Sequence, residues 1–397
     1  MKNSTSRYPQ IRYPAAPLVR EGDPGYRRCV ECIMDTTDPL ITFDATGRCS
    51  HCRMVDRFKR SWDAEGDPVA LEQLVERIRK DGRGRDYDAV MGLSGGVDSS
   101  YSAYLAKQLG LRVLIIHVDT GWNSEQAVKN IENIVSTLGF DLHTDVVDWE
   151  EMQDVQYAFF KSGVPNQDVP QDHAIFAGFY NFAASLGVRW SISGSNFACE
   201  SILPTAWGYD AMDLRHLEDI HARFGRRPLR TFPRMSYFKH GLMHQLLRNW
   251  QVARPLNLIR YDKEEAMRTL ESEVGWQYYG GKHYESRFTK FFQAWYLPTK
   301  WGYDKRLAHL SSLVVSGQKS REEALAEFQN GSLPTQEIEA DREYMRRKLG
   351  VTEEEFDQLM NVPNIPHENY AMTSRRLKRL FFAGASVKRR LSRVRTR

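Results

Sequence analysis

The chain has 397 residues, 41% of them hydrophobic, which supports two or three domains with real cores. Its net charge of +4 is a local property: residues 375–397 carry ten Lys/Arg and no acid, leaving 45 basic against 51 acidic residues elsewhere. That balance argues against a large nucleic-acid groove on the body. Without an apolar run of 18 residues or a signal-like h-region, no transmembrane segment is expected, and a cytoplasmic location is.

Residues 1–25 read as an extended arm. A cysteine module follows over 26–60, in which Cys29, Cys32, Cys49 and Cys52 form C-x2-C, sixteen residues, C-x2-C. Two such knuckles place four thiolates around one point, the spacing of a structural Zn2+ site. The alternation of PLITFD and the turn residues DATG predict a small hairpin between them. So small a module needs a metal staple, worth on the order of 10 kcal/mol. A disulfide pair is the alternative, and His51 is a possible substitute ligand.

DPVALEQLVERIRKDG predicts a connecting helix in a linker over 61–85. From Tyr87 the chain alternates short apolar runs with helical ones: strands over 89–93, 112–118, 142–147 and 188–193, and helices over 97–109, 125–138 and 172–186. Short apolar strands between helices predict an α/β fold with a parallel sheet. This domain spans 86–260. From about Lys263 helical periodicity dominates, giving a helical substrate-binding region over 261–372. The basic tail, 373–397, patterns as an amphipathic helix suited to a membrane surface or a partner.

The segment Ser94-Gly95-Gly96-Val97-Asp98-Ser99 joins a predicted strand to a predicted helix. Its glycines let several N–H groups converge, and the helix N-terminus adds positive potential, so the loop is an anion cradle. It lacks the lysine of a Walker A loop. It resembles instead the SGGxDS loop of the PP-loop ATP pyrophosphatases. That resemblance implies that Ser94, Gly95, Gly96 and Ser99 hold the pyrophosphate of ATP, with Asp98 near Mg2+. It also implies a HUP-like PP-loop domain, with adenine and ribose beside Val118 and Asp119 at the end of the next strand. Asp119 alternatively caps the following helix. GSNFACES brings Gly194, Asn196 and Glu200 to another strand end.

The cysteine module, the loop, GVPNQDVPQDHAIFAGFYNFA, GSNFACES and GGKHYESRFTKFFQAWYLPTKWGYDKR together resemble the N-acetyl sugar amidotransferases of the WbpG and PseA type, across roughly residues 26–330. The resemblance implies conversion of an acetamido to an acetamidino group on a nucleotide-activated sugar, in surface polysaccharide (LPS O-antigen) or glycan synthesis. ATP adenylates the amide oxygen and ammonia displaces AMP. Cys199 alone lies outside the zinc module, so no competent glutaminase is expected. The resemblance assigns ammonia supply to a separate glutaminase and a barrel-type synthase subunit. Lys282, Lys290 and Arg306 are candidate phosphate contacts, and His283, Glu285, Ser286 and Lys305 candidate substrate contacts. Asp168 and Asp172 are candidates for sugar hydroxyls or for activating ammonia, Asp172 alternatively capping its helix. Tyr296 and Trp301 offer stacking faces. The competing reading is a PP-loop tRNA thiolation enzyme.

Overall fold

Residues alternate faces along a strand, so a run apolar on both faces must be covered on both. The computed structural model describes residues 21–59, 62–63, 65–241, 249–330, 333–374 and 377–378. The cysteine-bearing turns lead into α1 (Ser50–Lys59) and then α2 (Pro68–Asp81). Next come β1 (Ala89–Gly92), α3 (Val97–Gln108), β2 (Val113–Asp119), α4 (Glu125–Leu138) and β3 (Asp141–Val146). Helices α5 (Trp149–Ser162) and α6 (Val169–Ser185) precede β4 (Trp190–Ile192), the one-turn α7 (Phe197–Glu200), α8 (Leu214–Phe224), the one-turn α9 (Tyr237–Lys239) and β5 (Gln251–Ala253). The rest is helical: α10 (Lys263–Val274), α11 (Arg287–Phe291), α12 (Leu297–Trp301), α13 (Lys305–Ser316), α14 (Arg321–Asn330), α15 (Thr335–Leu349) and α16 (Glu353–Met360). A π-helical stretch, Phe292–Tyr296, joins α11 to α12.

Among the described residues, five strands form one parallel sheet in the order β3-β2-β1-β4-β5. Val90, Leu114, Ile116 and Val118 face a core that includes Phe159, Phe160 and Ala174 of α5 and α6. Ala89, Met91, Val113 and Ile115 face the opposite core, built from α2, α3, α4 and α10. The chain leaves β1 for β2 on one side and reaches β4 on the other. The loops after β1 and β4 therefore diverge at the sheet's carboxyl edge and open a crevice there.

Several expectations change. The predicted hairpin is reduced to single bridges, Arg28 with Asp35 and Phe43 with Cys49, because knuckle turns occupy the intervening residues. The DATG turn does form, with Gly47 N–H donating to Asp44 O at 3.0 Å. Helix α6 starts at Val169, so Asp172 sits inside its first turn and caps nothing. Helix α5 is unforeseen, because buried Glu151, Asp154 and Gln156 interrupt its apolar stripe. Glu151 accepts the N–H groups of Arg230, Thr231 and Phe232, and Asp154 those of Arg226 and Arg227. Strand β5 has only three residues, too few to show a period. The arm up to residue 20, and most of the basic tail, lie outside the described residues.

A buried histidine pair ties α8 to the C-terminal segment, His216 Nε2 lying 2.9 Å from His367 Nδ1. Burial lowers the His216 pKa from 6.5 to about 4 against the opposing charges of Asp213 and Asp219. The unfolded chain therefore takes up the proton first. The contribution of His216 is complete above pH 6.5 and is lost as the pH falls towards 4, by on the order of 3 kcal/mol. Chemical denaturation should show a stability slope in this window that is shallower in His216→Gln. An unchanged slope in the variant contradicts the assignment.

Candidate active site

The loop after β1 has a conformation that its sequence requires. Gly95 has φ +81°, and a Cβ there would stand 2.5 Å from Ala127 O. A Cβ on Gly96 would meet Ser94 Oγ, Glu285 Oε1 and Tyr279 OH, each at 3.2 Å. Gly95 O accepts from Trp276 Nε1 at 2.8 Å, which fixes the turn from behind. Ser94 Oγ and Ser99 Oγ lie 3.1 Å apart. Gly96 is the N-cap of α3 and gives it no side-chain capping bond. Val97 N–H turns to Tyr279 OH, and the other first-turn N–H groups of α3, which no N-cap side chain meets, are available to an anion.

The loop after β4 closes on the same point. A Cβ on Gly194 would lie 2.8 Å from Asp98 O and Ser99 N, so only glycine allows the approach. Asn196 caps α7 and donates Nδ2–H to Asp98 Oδ1 at 3.1 Å. Tyr261 OH donates to the same oxygen at 2.6 Å. Lys282 Nζ lies 3.6 Å from Asp98 Oδ2 and 3.1 Å from Glu200 Oε1. Burial pushes the Asp98 carboxyl up, but Lys282, Tyr261 and Lys263 bring it below its usual value. Burial likewise works against the Lys282 charge, and Asp98 and Glu200 outweigh it. Burial, reinforced by Asp98, pushes the Cys199 thiol up to about 12. It stays protonated at neutral pH and is a poor nucleophile.

Most of the loop residues, with Asp98, Glu200 and Lys282, line a cavity of about 320 Å³. Of the residues singled out in the sequence, Ser94, Gly96, Asp98, Ser99, Gly194, Glu200, Lys282, His283 and Glu285 meet there. Gly95 and Asn196 support it from behind. Among the further lining residues, Phe176, Lys263, Trp276, Tyr278 and Tyr279 are side chains the sequence did not single out.

Other candidates lie elsewhere. Val118 is buried against Gly178. Asp119 accepts from Gly121 N and Asn123 Nδ2 at 2.8 and 3.1 Å, and Ser124 rather than Asp119 caps α4. Lys290 is held by Glu337 and by Asp341 at 3.0 Å, and Arg306 is forked onto Asp304. Neither lines the cavity, because α15 and the turn before α13 supply nearer carboxylates. Tyr296 is buried among Phe160 and Phe292, and Trp301 packs on Tyr303, so neither ring presents the expected stacking face.

Asp168, Asp172, Ser286 and Lys305 gather in a neighbouring polar cluster. Asp168 accepts from Thr289 Oγ1 at 3.0 Å and Gln293 Nε2 at 3.2 Å, while Ser286 Oγ donates to Gln171. Burial and Asp168 push the Asp172 carboxyl up to about 7 against the pull of Lys305.

The four module cysteines are fully buried, with sulfur separations of 3.6, 3.7 and 3.8 Å where they touch. A tetrahedral zinc with Zn–S of about 2.3 Å needs sulfurs roughly 3.8 Å apart. The N–H groups of Glu31 and Cys49 point at Cys29 Sγ, and that of Met34 at Cys32 Sγ, as thiolates require. The cluster therefore fits zinc. His51 is bound to Asp38 at 2.7 Å and is no ligand. Four protein ligands would leave no open position, so a zinc bound there would be structural. Purified protein should carry one zinc per chain, and Cys49→Ser should lose both the metal and several kcal/mol of stability. Wild-type stability without metal, or a disulfide among these cysteines, contradicts this.

Comparison with known proteins places this architecture. Residues 285–382 match the LPS biosynthesis protein WbpG-like C-terminal domain, and residues 70–188 match NAD synthase. The tRNA-specific 2-thiouridylase MnmA of Hahella chejuensis is 27% identical over 208 residues, covering 46% of this chain and 52% of its own. That of Pseudoalteromonas translucida is 32% identical over 120 residues, covering 26% and 32%. The chain thus spans about half or less of the length of these curated relatives. A solved NMN synthetase from Francisella tularensis is similar at TM-score 0.30 and 14% identity, over 77% of this chain and 97% of that one. The NAD synthase match covers the loop and the strands flanking it, and the WbpG-like match begins at a cavity residue, Glu285. These two matches, over residues 70–188 and 285–382, support a WbpG-type PP-loop ATP pyrophosphatase.

Proposed function

We propose that this protein is an ATP-dependent amidotransferase that converts the acetamido group of a nucleotide-activated sugar to an acetamidino group. The observation that carries the reading is the uncapped start of α3 beneath the Ser94–Ser99 loop, in one cavity with the first residue of the WbpG-like segment. ATP and Mg2+ chemistry is common to the PP-loop family. In this chain the N–H groups of the loop and the hydroxyls of Ser94 and Ser99 hold the pyrophosphate half of ATP. One carboxylate beside phosphate oxygens is how Mg2+ is usually bound, and Asp98 is the residue that fits it. The ion supplies charge neutralisation there. Glu200, His283 and Glu285 line the rest of the cavity and are left to meet the sugar nucleotide.

The chemistry follows from what an amide lacks. Its carbon is a weak electrophile and its oxygen a poor leaving group. Attack by the amide oxygen on the α-phosphorus breaks the bond to pyrophosphate. Ammonia then adds to the activated carbon, and AMP departs carrying the original amide oxygen. The product contains nitrogen where oxygen was. The role fits LPS O-antigen or other surface-glycan synthesis in the cytoplasm. Among the described residues, no helix is long and apolar enough to cross a membrane.

Ammonia requires an outside source in this reading. Four of the five cysteines form the zinc-type cluster, and the fifth, Cys199, is a buried protonated thiol. A separate glutaminase, channelling through a barrel-type subunit, supplies it. The second reading, thiolation of tRNA, draws on the MnmA relatives. A thiolation enzyme needs a reactive sulfur, and Cys199 is the single cysteine outside the cluster.

The enzyme, ATP, ammonium and UDP-acetamido sugars should yield AMP, pyrophosphate and an acetamidino sugar, identified by mass spectrometry. Asp98→Ala or Ser99→Ala should abolish AMP release with the fold intact. ADP and phosphate as products would sink the adenylation step. The isolated chain should turn over with ammonium, faster as rising pH frees ammonia, but not with glutamine. Cys199→Ser should keep most of that activity. Glutamine use lost in Cys199→Ser overturns the partner argument, and sulfur transfer to tRNA lost in that variant favours thiolation.

A further inference from the structure

The cradle is shaped for an anion, yet the cations that the sequence suggested for it are already engaged. Lys282 is shared between Asp98 and Glu200, Lys290 between Glu337 and Asp341, and Arg306 is forked onto Asp304. Lys263 differs. It lines the same cavity as Ser94, Gly96 and Ser99, and among the described residues its ammonium makes no ion pair. It lies close enough to Asp98 for its charge to help hold that carboxyl down.

Its placement runs against local preference. Lys263 opens α10, ahead of Glu264 and Glu265. A cation at the positive end of a helix is unfavourable, which is why acids prefer the first turn. The backbone is nevertheless held firmly there. Lys263 N–H donates to Gln318 Oε1 at 3.1 Å, and Gln318 Nε2–H donates to Tyr261 O at 3.1 Å. Gln318 thus grips the chain on both sides of Asp262, whose carboxylate caps α10 through Glu265 N–H at 2.8 Å. Tyr261, two residues upstream, reaches Asp98. One short segment therefore delivers both the hydroxyl that orients Asp98 and an unpaired cation.

We propose that Lys263, held in place by Gln318, binds the pyrophosphate half of ATP and stabilises it as the leaving group. Lys282 then keeps Asp98 ionised and holds Asp98 and Glu200 in position. The inference rests on the adenylating reading above. When the bond from the α-phosphorus to the bridging oxygen breaks, the electron pair and negative charge pass to pyrophosphate, where Lys263 compensates them.

Calorimetric titration of full-length protein with magnesium pyrophosphate, and separately with AMP, tests this without a sugar substrate. Lys263→Met should weaken pyrophosphate binding roughly 10- to 100-fold, the loss of one charge-assisted contact, and leave AMP binding unchanged. Lys263→Arg should recover most of the affinity. Gln318→Ala should weaken pyrophosphate alone, to a smaller degree. Wild-type pyrophosphate affinity in Lys263→Met overturns the inference, as does an equal loss for both ligands, which would mark a merely structural residue. If the wild type binds no pyrophosphate, the adenylating reading itself falls and the inference with it.

Discussion

The partly buried carboxylate of Asp98 is the constraint around which the site is arranged. It stands in the first turn of α3, over the uncapped N–H groups. The β4 loop contributes Asn196, the entry to α10 contributes Tyr261, and the segment before α11 contributes Lys282. Three stretches far apart in sequence thus converge on one side chain. Burying an ionised carboxylate is costly unless it is paired and hydrogen-bonded, so each partner is needed to keep the charge in place. The close approach of Gly194 belongs to the same arrangement, since any side chain there would push the β4 loop away from Asp98.

Helix α13 carries order from the cysteine module to this point. Ser311 Oγ accepts from Ile33 N–H inside the first knuckle, at 3.2 Å. Its neighbour Ser312 accepts from Ile202 N–H at 3.0 Å, just after α7, and Ser316 donates to Ala198 O at 2.9 Å within α7. Arg321, which opens α14, holds the carbonyls of Cys29 and Cys32. The module is therefore packed onto the same helix that supports Glu200 and the Lys282 contact. Gln318, just past the end of α13, extends that support to Lys263.

The core of this design was legible in the sequence because it rests on short-range rules. Gly95 and Gly96 between an apolar run and a helical one gave the cradle, and C-x2-C spacing gave the cysteine cluster. The parallel sheet followed from strands that are apolar on both faces. What was not legible depends on tertiary contact. Lys290 looked like a phosphate ligand because its partners lie in a distant segment, whereas Arg306 is taken by a carboxylate two residues before it in its own stretch. Their carboxylates come from α15 and from Asp304. Tyr296 and Trp301 looked like stacking platforms, but the π-helical turn of Phe292–Tyr296 directs Tyr296 into the core. Lys263 left one overlooked local signal, a lysine where a helix start favours an acid.

The central claim is that the acetamido oxygen attacks the α-phosphorus of ATP. It is tested most directly by labelling that oxygen with 18O in a substrate sugar and following the label through one turnover with ammonium. The account predicts 18O in the phosphate of AMP and none in pyrophosphate. Label in inorganic phosphate, or retained in the sugar product, would contradict it.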